Sequence, residues 1–217
     1  MTSVDEPVRP DRRLPDAART RSDILDAATG EFARAGYDGA RVEEIAARTR
    51  TTKRMIYYYF GGKKQLFAAV LERAYGTLHG VGDLREIERL DPTAAVRRIT
   101  QVTFDHHEQH PDLVRLVGVE NIHGGEHLAA ARRSGRIDSP GLGALSRVLD
   151  AGRESGAFTT EVDAVDLHAM ISAFCCYRVT GRHTFGALFD RDLSAPAHRD
   201  HYRTMLADMV VAYLTRR

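Results

Sequence analysis

The 217-residue chain has two cysteines, Cys175 and Cys176, side by side. Two cysteines make no disulfide framework, so a reducing, cytoplasmic setting is expected. No apolar run approaches the ~20 residues a membrane-crossing helix needs. The N-terminus is too polar for a secretion signal. Neither a nucleophile elbow nor a phosphate-binding glycine loop nor a paired-cysteine metal motif is found, so no enzyme and no cofactor are expected. Internal repeats are absent, and lysine is scarce, with three against 28 arginines. That ratio suggests a GC-rich genome and says nothing about mechanism. What remains is an ordinary globular composition, 43% hydrophobic.

The net charge is only +1, yet it is unevenly spread. From Arg41 to Lys64 there are seven Lys or Arg against two Glu, a local net of +5. In this stretch Val42, Ile45 and Ala46 make one apolar helical face, and Ile56 and Phe60 make another after a polar turn. Gly61 and Gly62 supply a stop after the second helix. That helix opens with Lys53 and Arg54 and carries Tyr57, Tyr58 and Tyr59. Two short helices joined by a tight turn, with cations and hydrogen-bonding groups on the second, suit a DNA major groove. Charge alone more often describes a solvated helical hairpin. The tyrosine triplet between Ile56 and Phe60, followed by the glycine pair and Lys63, favours DNA.

The stretch resembles the helix-turn-helix of the TetR family of transcriptional regulators. Ile45-Ala46, Tyr57-Tyr58-Tyr59-Phe60 and Lys63 match the family pattern position by position. Upstream, Ile24, Leu25, Ala28 and Phe32 at helical spacing, with Gly36-Tyr37, match its first helix; Leu66 to about Leu78 matches its fourth. The resemblance implies that Thr51, Thr52, Lys53, Arg54 and Met55 open the recognition helix and approach base edges. It implies that Tyr57 and Tyr58 reach phosphates or bases and that Lys63 holds a phosphate. Two positions depart from the pattern. Arg41 stands where the family has Ser or Thr; it can reach a phosphate but cannot cap a helix. Arg50-Thr51 stands where the turn has Gly-Val, which puts the turn geometry in question if φ is positive there; Arg50 is a further candidate DNA contact.

The expected fold is all-α with about nine to ten helices. It comprises a Pro/Arg-rich arm over 1–18, read as disordered, a three-helix helix-turn-helix domain over 19–65, and an effector-binding and dimerisation domain over 66–217. Helix starts are read at Asp91-Pro92, His110-Pro111, Asp138-Ser139-Pro140, Asp163 and about Ala197, and breaks at Gly124-Gly125 and Gly156. The last two long helices are apolar on several sides and need partners on more than one face. The resemblance implies a homodimer through them, a palindromic double-stranded operator, repression as the default mode, and a small-molecule effector. The later segments resemble a subgroup that includes repressors of nicotinate breakdown, which points to a small aromatic acid.

Candidate ligand-binding residues are Phe104, His107, Asn121, His123, Phe174, Tyr177 and Arg178, each with an equal alternative as core or satisfied interior polar group. His106, His107 and His110, and His123 with His127, are close in sequence, but Gly124-Gly125 and Pro111 interrupt the spacing a helical metal site requires. No metal site is expected, with a metal-responsive regulator as the alternative. Cys175 and Cys176 read as small packing residues. A helical interaction protein of the same fold that has lost DNA binding is the other alternative, left open by Arg41 and Arg50.

Overall fold

The computed structural model describes residues 13–78, 84–133, 135 and 140–216. Among them are twelve helices and no strand. In order these are α1 (Arg13–Gly39), α2 (Val42–Ala47), α3 (Lys53–Phe60), α4 (Lys63–Leu78), α5 (Leu84–Ile87) and α6 (Pro92–Gln109). Then come α7 (Pro111–Ile122), α8 (Glu126–Arg133), α9 (Pro140–Glu154), α10 (Ala164–Thr180), α11 (Arg182–Phe189) and α12 (Pro196–Leu214). The count exceeds the nine to ten expected because α5, α8 and α11 are short pieces of four or eight residues. Residues 1–12 of the arm, and Asp138-Ser139, lie outside the described residues. The helix α1 already opens at Arg13, within the segment read as arm.

The chain divides into two compact units, Met1–Val70 and Leu71–Arg217. In the first, Ile24, Ala28 and Phe32 of α1 are fully enclosed with Ile45 of α2, Ile56 of α3, and Leu66, Phe67 and Val70 of α4. Phe32 meets Phe67 edge-on at 4.9 Å, and Tyr37 packs on Phe67 at 5.0 Å. Gly36 breaks the α1 backbone with φ 71 and ψ 176, a conformation a Cβ disfavours.

In the second unit α6 is the central helix, packed against α9, α10 and α12. Val96, Ile99 and Phe104 of α6 meet Leu145, Val148 and Leu149 of α9, Leu167 and Ile171 of α10, and Leu206 and Val210 of α12. Two of the starts read from sequence, Asp91 and Asp163, are capped by their own side chains, whereas α7 and α12 begin without a side-chain cap. Asp91 accepts from the amides of Thr93 and Ala94 at 3.1 Å, and Asp163 from that of Val165 at 2.6 Å. Pro111 begins α7 after a non-helical His110, and Gly124 and Gly125, both at positive φ, separate α7 from α8. Gly181 follows α10 at a close approach that needs glycine, since a Cβ there would stand 2.9 Å from the Tyr177 carbonyl oxygen.

Candidate nucleic-acid interface and effector cavity

The helix-turn-helix is assembled by short polar bonds around its apolar contacts. Glu31 of α1 is buried, and its carboxylate holds Arg48, at the C-terminus of α2, at 3.3 Å and Arg34 at 2.9 Å. The turn from Arg48 to Thr52 needs no positive φ: Asp190 is the one non-glycine residue with φ above zero among the described residues. Arg48 instead closes α2 at φ −89 and ψ −4, and the Thr49 amide and hydroxyl both donate to the Ala46 carbonyl at 3.1 Å. Arg50-Thr51 therefore replaces the usual glycine-containing turn without strain.

Thr51 and Thr52 lie in this turn rather than in the recognition helix, which starts at Lys53. The Thr52 hydroxyl oxygen accepts from the Met55 amide at 3.3 Å and caps α3. Arg41 precedes α2 with no side-chain cap bond and is exposed. On α3, Ile56 and Phe60 are buried, whereas Lys53, Arg54, Met55, Tyr57 and Tyr58 are exposed, Tyr58 at 79%. Lys53 pairs with Glu43 of α2. Their hydrogen bond lowers the Glu43 pKa and raises that of Lys53. Gly61 ends α3 at φ 82, its amide donating to the Tyr57 carbonyl at 2.7 Å. Lys63 donates to the Asp38 carbonyl at 3.0 Å and sits over the Tyr37 ring at 5.1 Å.

The second unit holds a cavity of about 230 Å³. Leu84, Ile99, Val117, Gly141, Leu142, Leu145 and Ile171 supply its apolar walls. Tyr75, Thr103, His106, His107, His168, Ser172 and Cys176 supply its polar groups. The Nδ1–H of His107 donates to the Thr103 carbonyl at 2.8 Å, and the Thr103 hydroxyl donates to the Ile99 carbonyl at 2.9 Å. Ser172 and His168 are joined at 3.2 Å. Burial, foremost, lowers the His107 and His168 pKa values. It pushes the Tyr75 hydroxyl up to about 12 and raises the Cys176 thiol.

Of the seven candidate ligand residues, His107 alone stands among these walls. Phe104 is fully enclosed in the core. Arg178 is buried too, 4.2 Å above the Phe104 ring and 5.5 Å from that of Tyr202. Its guanidinium donates to the Leu193 carbonyl at 2.9 Å and meets Glu108 at 3.3 Å, so it ties α6, α10 and the segment before α12 together. Phe174 packs edge-on against Tyr202 at 6.2 Å, and Tyr177 is 53% exposed. Asn121 is exposed and bonds the Val117 carbonyl of its own helix, and His123 closes α7. His127 bonds Glu120 at 2.9 Å, and His106 stacks on His110 at 4.3 Å. No cluster of three or more His, Cys, Asp or Glu suited to a metal occurs among the described residues. Cys175 is core, as read from sequence, while Cys176 is cavity wall. Three of the missed residues had a signal: His168, Ser172 and Cys176 recur every four residues along the largely apolar α10.

A basic, exposed α3 set by a capped turn, followed by a separate helical unit with its own cavity, defines a helix-turn-helix DNA-binding regulator. The chain belongs to the TetR family of transcriptional regulators. Residues 24–70 match the profile "Bacterial regulatory proteins, tetR family", and residues 92–210 match "Tetracyclin repressor-like, C-terminal domain". The chain is 30% identical over 204 residues to the HTH-type transcriptional repressor NicS of Pseudomonas putida, covering 94% of this chain and 96% of that one. It is 34% identical over 167 residues to an HTH-type transcriptional repressor of Streptomyces coelicolor, covering 77% and 81%. A solved transcriptional regulator of Streptomyces coelicolor superposes with TM-score 0.65 at 28% identity over 91% of this chain and 99% of that one. No helix among the described residues is long and apolar enough to cross a membrane.

Proposed function

We propose that this chain is a ligand-responsive repressor that binds a palindromic operator as a homodimer, with α3 in the major groove. The observation that carries the reading is the division of α3. Ile56 and Phe60 are buried, and every cation and hydroxyl on the opposite side stays exposed. Lys53, Arg41, Arg50 and Lys63 are the phosphate partners; Arg54, with Met55, Thr51 and the Tyr57 and Tyr58 hydroxyls, reaches base edges. Thr52 acts through its cap. Lys53 exchanges Glu43 for phosphate when DNA binds, and Lys63 keeps its hold on the Asp38 carbonyl while presenting charge.

Repression follows the two named relatives, both repressors. The dimer is supported by exposed apolar side chains along α10 and α12: Ala169, Met170, Ala173 and Tyr177 on one, Met209 and Ala212 on the other. The cavity in the second unit is the effector site. Fluorescence anisotropy of a random-sequence duplex across a salt series tests the DNA half. Affinity that falls linearly with the logarithm of salt, with a smaller slope in a Lys53→Ala/Arg54→Ala double variant, is expected. Salt-independent or undetectable binding by the unaltered chain would overturn it.

A further inference from the structure

We infer that the cavity takes an uncharged, largely apolar single-ring molecule that donates a hydrogen bond to Nε2 of His107. The inference rests on the reading of the cavity as the effector site, and three observations carry it.

The first is size. A cavity of about 230 Å³ lies below the ~300–1,000 Å³ of ordinary drug-sized sites, while ~150 Å³ already holds benzene. One ring with short substituents fills it. The second is charge. Among the described residues, no Lys, Arg, Asp or Glu stands in the walls. An ionised carboxylate or ammonium would leave water without a fixed counter-ion, which strongly disfavours it. The guanidinium that α10 does carry, that of Arg178, is committed to Glu108, the Leu193 carbonyl and two aromatic rings. A small aromatic acid therefore has the right ring and the wrong charge.

The third is the hydrogen-bond direction. A carbonyl can only accept, so the 2.8 Å contact to Thr103 fixes the proton on Nδ1 of His107. Burial, by lowering the pKa, favours the neutral ring. Its Nε2, at the ring edge away from its own helix backbone, is then an acceptor, on a residue only 8% exposed. The Thr103 hydroxyl is spent on the Ile99 carbonyl. A ligand hydroxyl or N–H answers Nε2, and an ether in its place leaves that acceptor unpaired.

The test is thermal melting of the full chain with para-ethylphenol, its methyl ether para-ethylanisole, and para-ethylbenzoate at equal concentration and neutral pH. Each is measured on the unaltered chain, on His107→Phe, and on Ser172→Trp, which fills the cavity. Para-ethylphenol is expected to raise the midpoint by about 2–6 °C at saturating concentration, the ether by less, and the benzoate least. His107→Phe should erase the preference for phenol over ether, and Ser172→Trp should abolish every shift. Where His107→Phe itself fails to melt cooperatively, His107→Met replaces it. A benzoate shift equal to or above that of the phenol, lost in Ser172→Trp, overturns the inference while the cavity stands as a ligand site. Shifts that persist in Ser172→Trp overturn both. No shift with any probe overturns the ligand class alone.

Discussion

Lys53 and Arg54 are neighbours on α3 with different surroundings. Lys53 is paired with Glu43, and Arg54 has no ion-pair partner among the described residues. In the proposed complex, the flexible Lys53 ammonium would trade its carboxylate for phosphate and position the helix, and the Arg54 guanidinium would present the planar fork that reads guanine. Lys53→Ala should therefore weaken binding alike on all sequences and reduce the salt slope by about 1. Arg54→Ala should cost about 1–3 kcal/mol of discrimination at one base pair. Anisotropy on an operator and its single-pair variants separates the two, and unchanged affinity in both would remove α3 from the groove. His107 makes a second residue-scale prediction. Its folded pKa lies below the ordinary ~6.5, first because of burial and then because of His168 and His110. The unfolded chain thus binds the proton more readily, and stability falls as pH drops below ~6.5. The melting midpoint should decline from neutral pH toward pH ~5.5, less steeply in His107→Phe; equal slopes would contradict this.

At the scale of elements, α3 depends on a cap, and α10, in the proposed dimer, on a partner. Thr52→Ala should remove about 1 kcal/mol of stability and lower operator affinity, with Thr52→Ser close to the unaltered chain in urea unfolding. On α10, Met170→Glu or Tyr177→Asp places charge among exposed apolar side chains. Either should yield monomers by analytical ultracentrifugation and a steep loss of operator affinity, since two half-sites are then no longer read by one particle. A dimer surviving both changes would move the interface elsewhere. The helices were legible in the sequence where their signals are local. Asp91 and Asp163 cap, Pro111 restarts, Gly36 and Gly61 stop, and Ile56 with Phe60 turn inward, each decided within a few residues. The cavity was not legible, because its walls come from α4, α5, α6, α7, α9 and α10 and only packing brings Tyr75, Thr103 and His168 together. Arg178 misled for a related reason. A cation among apolar residues reads as a ligand hook, whereas here it is satisfied by Glu108, a carbonyl and two rings that are distant in sequence.

For the whole molecule, a chain of net charge +1 binds DNA through where its charge lies. All three lysines, Lys53, Lys63 and Lys64, fall in or beside the helix-turn-helix, while in the second unit arginines such as Arg97, Arg178, Arg199 and Arg203 are paired with acids. Coupling between a cavity in one unit and DNA held by the other requires that the effector bind two conformations unequally. Selection of bound fragments from a random duplex pool, with the purified chain at two salt concentrations, decides whether this is a dimeric sequence-specific regulator. The expected result is a palindrome whose half-sites lie about one helical turn, or a multiple of it, apart, recovered at both salts. Fragments without a common motif, held only at low salt, would contradict it.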